Sequence, residues 1–139
     1  MKFKYSCQVM INKNIDLVAS AMIDYQAMKE WQVGLLDIKP IKGIPGQDDS
    51  VTKLFFKGDM VMKETIEKNL LPDQFIQVYE MSGVWNRCVN DFTDLNGKTQ
   101  WTMETEFIFD RDIDLPIEAF KKKSLEGMNL FKTYIENKV

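Results

Sequence analysis

Apolar residues near the N-terminus fall on every second position. Phe3, Tyr5, Cys7, Val9 and Ile11 share one side, and Lys2, Lys4, Ser6 and Gln8 share the other. A period of two marks a half-buried strand. Asn12 or Asn14 can then cap a short helix with Leu17, Val18, Ala21 and Met22 in one stripe. Asp24 can cap a second short helix with Tyr25, Met28 and Trp31 on its inner side. From Leu35 to Phe109 the period stays near two. Turn signals at Pro45-Gly46, Gly58-Asp59, Leu71-Pro72-Asp73, Ser82-Gly83 and Asn96-Gly97 divide this stretch. The strands predicted between them cover 35–43, 50–57, 60–69, 74–81, 84–94 and 98–109, seven in all with the first. After Pro116 the spacing changes to three and four: Ile117, Phe120, Ser124, Met128, Phe131 and Ile135 line one side of a helix of about five turns.

Residues opposite one another in a hairpin share a face. With Asn96-Gly97 as the tip, Phe92 meets Trp101, Asn90 meets Met103, Cys88 meets Thr105, Asn86 meets Phe107 and Val84 meets Phe109. The other face pairs Arg87 with Glu106, an expected outward ion pair, so the aromatic face is the inner one. The remaining turns extend it to Phe75, Gln77, Tyr79 and Met81, then to Met62, Glu64 and Ile66, then to Val51, Lys53 and Phe55. An inner face this rich in aromatics and methionines, yet carrying Asn86, Asn90, Gln77, Tyr79, Thr105 and an opposed Lys53–Glu64 pair, suits a cavity better than a dry core. Buried polar groups without partners cost about 1–3 kcal/mol each, whereas ligand pockets carry a few placed polar groups among apolar ones.

At 139 residues the chain fits one domain, and 45% hydrophobic with 28% charged residues is an ordinary globular composition. A net charge of -3 argues against nucleic acid as a partner. The Lys121-Lys122-Lys123 run reads as a solvated helix face. Met1 to Asn14 has no continuous apolar segment, so no signal peptide is expected, and no apolar run is long enough for stable membrane insertion. Cys7 and Cys88 make no disulfide framework, which points to a reducing, cytoplasmic setting.

Ile11-Asn12-Lys13-Asn14-Ile15-Asp16-Leu17-Val18, Asp24 followed by Trp31, and Asn129-Leu130-Phe131-Lys132-Thr133-Tyr134-Ile135-Glu136 resemble segments of the START-like (helix-grip, SRPBCC) superfamily, of the polyketide cyclase/dehydrase and lipid-transport type. So does the order of elements. The resemblance spans 1–139 as a single START-like domain. It implies an α+β helix-grip fold: a seven-stranded curved antiparallel sheet around a long C-terminal helix, with two short helices after the first strand. It also implies a cavity between helix and sheet, used across the superfamily for lipids, hormones, polyketides or quinones.

The chain has no histidine, which removes Ser-His and Cys-His nucleophile systems and the commonest metal ligand. Asp110-x-Asp112-x-Asp114 lacks the Gly and Glu of a calcium loop, because Leu115 and Lys121 stand there. No cofactor or metal is expected. The expected ligand-binding set is Phe55, Met62, Glu64, Tyr79, Asn86, Cys88, Asn90, Trp101, Met103, Phe107, Phe120 and Met128. The leading expectation is a carrier or sensor of a hydrophobic small molecule. Two alternatives stay open: a cyclase or dehydratase with Glu64 as acid/base, aided by Lys53 or Tyr79, and a protein-interaction module of the Hsp90-activator type using Leu35, Leu36 and Ile44.

Overall fold

The computed structural model describes residues 1–138. Seven antiparallel strands form one sheet: β1 (Lys2–Ile11), β2 (Leu35–Lys42), β3 (Val51–Phe56), β4 (Met60–Leu70), β5 (Gln74–Met81), β6 (Val84–Leu95) and β7 (Lys98–Phe109), in the order β1-β7-β6-β5-β4-β3-β2. Helix α1 (Ile15–Met22) follows β1, and the long helix α2 (Ile117–Glu136) closes the chain.

Local chemistry explains the boundaries. Asn14 caps α1, its Oδ1 accepting from the Leu17 N–H at 2.9 Å. Pro116 takes the N-cap position of α2, one residue earlier than a first-turn proline. The expected second helix is only a single 3-10 turn, Met28–Glu30. Asp24 caps the bend before it, accepting from Ala27 N–H at 3.3 Å. At the β6–β7 tip both Asn96 (φ 54°) and Gly97 (φ 89°) are left-handed, as a two-residue hairpin turn requires. The β6–β7 and β5–β6 registers are the expected ones.

Two loops have three residues, and their consequences differ. Leu70 pairs with Gln74 across Leu71-Pro72-Asp73, a length that alone would invert β4. A bulge between Ile66 and Lys68 restores the phase, so Ile66 still faces Gln77 and Glu64 still faces Tyr79. The bulged Glu67 lies on the outer face, where Arg87 grips it with Nε at 3.0 Å and Nη2 at 2.7 Å. Arg87 does sit opposite Glu106, but its ion pair is with Glu67, and Glu106 pairs with Lys2 at 3.2 Å.

At the β3–β4 tip no bulge compensates. Phe56 pairs with Met60 across Lys57-Gly58-Asp59, with Gly58 (φ 83°) and Asp59 (φ 57°) both left-handed. The Lys57 N–H turns instead to the Gly34 carbonyl at 2.9 Å. β3 is therefore inverted relative to the sequence expectation. Thr52, Leu54 and Phe56 are buried, and Lys53 is exposed. Val51, Lys53 and Phe55 belong to the outer face, and Glu64 faces Thr52 rather than Lys53.

The inner face carries two apolar clusters. In the larger, Met128, Phe131 and Ile135 of α2 and Val18, Ala21 and Met22 of α1 pack on Cys7, Ile11, Ile66, Phe75, Phe92 and Trp101. In the smaller, Met28 packs on Leu35, Leu54 and Phe56, with Tyr25, Trp31, Met62 and Tyr79 against them. The inversion of β3 makes a direct prediction. Leu54→Ala should lower unfolding free energy by about 2–5 kcal/mol, whereas Lys53→Ala should change it by no more than about 0.5 kcal/mol, measured by urea denaturation.

Candidate functional site

Glu64 lies on the inner face of β4 and is 1% exposed. Its Oε1 accepts a short hydrogen bond from the Tyr25 hydroxyl, contributed by the bend after α1. Its Oε2 accepts from Gln77 Nε2 at 3.1 Å. Tyr79 stands directly across on β5, close enough to influence the carboxyl. Among the described residues no lysine or arginine forms an ion pair with it; the expected Lys53 partner faces away. Burial pushes the Glu64 carboxyl above its ordinary range, and the polar groups of Tyr25, Tyr79 and Gln77 around it offset only part of that. Burial and the neighbouring carboxyl likewise push Tyr25 and Tyr79 up, so both phenols stay protonated.

The hydrogen bonds continue across the sheet. Gln77 Oε1 accepts from Asn90 Nδ2 at 3.1 Å, and the same Nδ2 donates to the Phe75 carbonyl at 3.0 Å. Asn90 Oδ1 accepts from Trp101 Nε1 at 2.9 Å. An indole N–H can only donate, so Trp101 fixes which end of the Asn90 amide is oxygen. Asn90 in turn fixes Gln77, and Gln77 must donate to Glu64. A second group is closed on itself: Asn86 Nδ2 donates to Thr105 Oγ1 at 2.7 Å and to the Glu106 carbonyl at 3.0 Å. The Cys88 thiol meets Asn86 Oδ1 at 3.5 Å and Thr105 Oγ1 at 3.4 Å. Burial pushes that thiol up to about 11, which makes it inert rather than nucleophilic. Much of the inner polarity is thus internally paired. Among the described residues three buried atoms have no partner: Trp31 Nε1, Ser50 Oγ and Thr52 Oγ1.

The expected ligand-binding residues divide into three groups. Glu64, Cys88, Asn90, Trp101 and Met128 are buried. Met62, Tyr79, Asn86, Met103, Phe107 and Phe120 are half-exposed, although their registers put the strand residues on the inner face. Phe55 is on the outer face, because of the three-residue tip at 57–59. There it helps line a shallow surface cleft of about 420 Å³ with Leu36, Asp37, Phe56, Asp59, Met60 and Val61. The sequence reading missed Thr52 and did not include Tyr25. Lysine alternating with Thr52 and Leu54 was the available signal, since a lone lysine favours the solvent face.

Of the half-exposed group, Phe107 and Phe120 meet at the first half of α2, while Met62 and Tyr79 pack against the smaller cluster. Phe120 packs on Phe3 (centroids 5.0 Å apart), Phe107 (5.5 Å) and Phe109 (5.7 Å). One turn on, Ser124 Oγ lies 2.7 Å from the Tyr5 hydroxyl. These contacts tie that half of the helix to β1 and β7. On β4, β5 and β6 the same rows of the sheet, with Met62, Tyr79 and Asn86, stay partly open. Of the apolar residues expected to face a protein partner, Leu35 is buried at 7% exposure, while Leu36 and Ile44 are exposed.

This geometry, a curved seven-stranded sheet gripping one long terminal helix, is the START-like helix-grip fold. Solved structures of the same shape include Ara h 8.0201, at 11% identity and TM-score 0.83, with 99% of this chain and 100% of that one covered. A START superfamily protein from Mycobacterium smegmatis superimposes at 13% identity and TM-score 0.71, over 96% and 94% of the two chains. DynU16, a protein from the dynemicin biosynthetic locus, does so at 15% identity and TM-score 0.76; the match covers 96% of this chain and 47% of DynU16. No family model and no curated protein matches the sequence. No helix among the described residues is long and apolar enough to cross a membrane.

The raised Glu64 carboxyl has a signed consequence. The native state holds a proton on Glu64 at pH values where the unfolded chain has lost it. Stability from this group is therefore full below the ordinary glutamate range and falls as pH rises toward the native value. Glu64→Gln should flatten that part of the curve, read as the difference in urea midpoint between wild type and variant across pH. A difference that does not vary with pH would contradict the assignment.

Proposed function

We propose that this chain binds a hydrophobic small molecule, of lipid, polyketide or quinone type, inside the grip of the sheet. It would act as a carrier or sensor in the cytoplasm, with residues 1–139 working as one domain. The observation that carries this reading is the partial exposure of an inner face. Met62, Tyr79, Asn86, Met103, Phe107 and Phe120 are half-exposed side chains where a finished core would bury them. Covering apolar surface returns about 25 cal/mol per Å², so a flat or elongated apolar molecule beneath the first half of α2 has a reason to stay there. Two free, buried thiols, Cys7 and Cys88, fit a reducing compartment.

An enzymatic reading has one observation in its favour, a buried carboxyl between two tyrosines, Tyr25 and Tyr79. It lacks the lysine that the sequence suggested beside Glu64, and one of the two tyrosines would have to relay any proton. Carriage or sensing is the better-supported use.

A fluorescent hydrophobe such as anilinonaphthalene sulfonate should bind saturably at one site per chain. Phe107→Ala should weaken that binding by about tenfold, the effect of losing most of one buried aromatic contact. Equal affinity in the variant, or binding without saturation, would count against the cavity.

A further inference from the structure

We propose that the ligand carries a protonated amine, and that Glu64 and Thr52 are the groups that receive it. This deepens the binding reading above and rests on it. Three observations converge on it. Glu64 is an acceptor by construction: the chain that starts at the Trp101 indole delivers an amide N–H of Gln77 to Oε2, and Tyr25 delivers its hydroxyl to Oε1. The protein supplies this buried carboxyl with donors but with no cation among the described residues. Directly opposite, Thr52 is 1% exposed and its hydroxyl has no partner among the described residues.

A carboxylate has about four lone-pair positions. Tyr25 and Gln77 engage two, which leaves acceptor positions free, and Thr52 is the residue paired across from Glu64 on β3. An ammonium group brings three donors and a full positive charge, so it can satisfy the remaining carboxylate position and the orphan threonine oxygen together. Two phenol rings, Tyr25 and Tyr79, flank the carboxyl, and aromatic faces also favour a cation. A neutral hydrophobe would leave the Thr52 oxygen without a donor, and a carboxylate ligand would bring a second acid group against Glu64. Tyr25 and Tyr79 are the partly exposed members of this group, and the route in lies past them.

The groups facing Glu64 are Tyr25 from the bend after α1, Thr52 from β3, Gln77 and Tyr79 from β5 and, farther off, Cys88 from β6. None of them carries charge near neutrality. Glu64 is therefore the group whose ionisation tracks binding. Because burial raises its carboxyl in the free protein, an incoming ammonium must displace a proton wherever that carboxyl is still neutral. Affinity for an amine should rise with pH until Glu64 is ionised, then level off below the amine's own pKa.

The test is isothermal titration of the full chain with naphthylethylamine, naphthylethanol and naphthylacetate, between about pH 5 and about pH 8 in buffers of different ionisation enthalpy. The expected result is a preference of about tenfold or more for the amine over the alcohol, the scale of one charge-assisted hydrogen bond, with proton release at the lower pH. Glu64→Gln should bring amine and alcohol within about threefold and abolish the proton release, while alcohol binding persists. Thr52→Val should reduce the amine preference and leave the alcohol unchanged. Equal binding of amine and alcohol by wild type would overturn the proposal and leave the hydrophobic cavity standing. Binding of none of the three would overturn both.

Discussion

Trp101 holds a hydrogen atom that it can only give away, and the polarity of the interior depends on that. From the indole, one donor after another points the same way across β7, β6, β5 and β4, through Asn90 and Gln77 to Glu64. If either amide turned over, a buried donor would face a donor, at a cost of about 1–3 kcal/mol for each group left unsatisfied. The chain crosses four neighbouring strands on their inner face, so it also requires the register of the hairpins that join them. Fold and electrostatics are one constraint here.

Around that chain the molecule is finished in one half and open in the other. The second half of α2 presses Met128, Phe131 and Ile135 into a dense cluster with α1, and Trp31 and Trp101 both meet Phe131 edge-on. The first half is tied to β1 and β7 by Phe120 and Ser124, which leaves β4, β5 and β6 partly uncovered. The sheet curves beyond what one helix can cover. The short segment with Tyr25, Met28 and Trp31 fills much of the remainder over β2 and β3. The open rows lie between these two fillers.

The order of the strands, the phases of β1, β4, β5, β6 and β7, and the inner polar set apart from Lys53 were legible from periodicity and turn residues. They were legible because Asn96-Gly97 leaves only one natural hairpin length, and each later register builds on that tip. Lengths that turn residues do not determine were not legible. Gly58-Asp59 is equally compatible with a loop of two residues or of three, and Lys57 decided it by bonding to Gly34. That single residue turned Lys53 and Phe55 outward and put Thr52 beside Glu64. The loop at 71–73 was also read at the wrong length, yet β4 kept its expected face because the bulge at Glu67 cancelled the error. As for the site, burial separated what periodicity could only group. Met62 and Met128 both point inward, but only the helix position explains why one is open and the other sealed.

The nine methionines provide the most direct test of where a ligand sits. Their methyl groups can be resolved by NMR in a protein labelled at methionine. Met62, Met81 and Met103 lie on the half-exposed inner face, Met22, Met28 and Met128 in the packed core, and Met1, Met10 and Met60 on the exposed surface. Titration with a hydrophobic amine should shift Met62, Met81 and Met103 in a saturable way, with the exposed three unmoved. Shifts confined to Met10 and Met60, or no shift at all, would contradict an interior site.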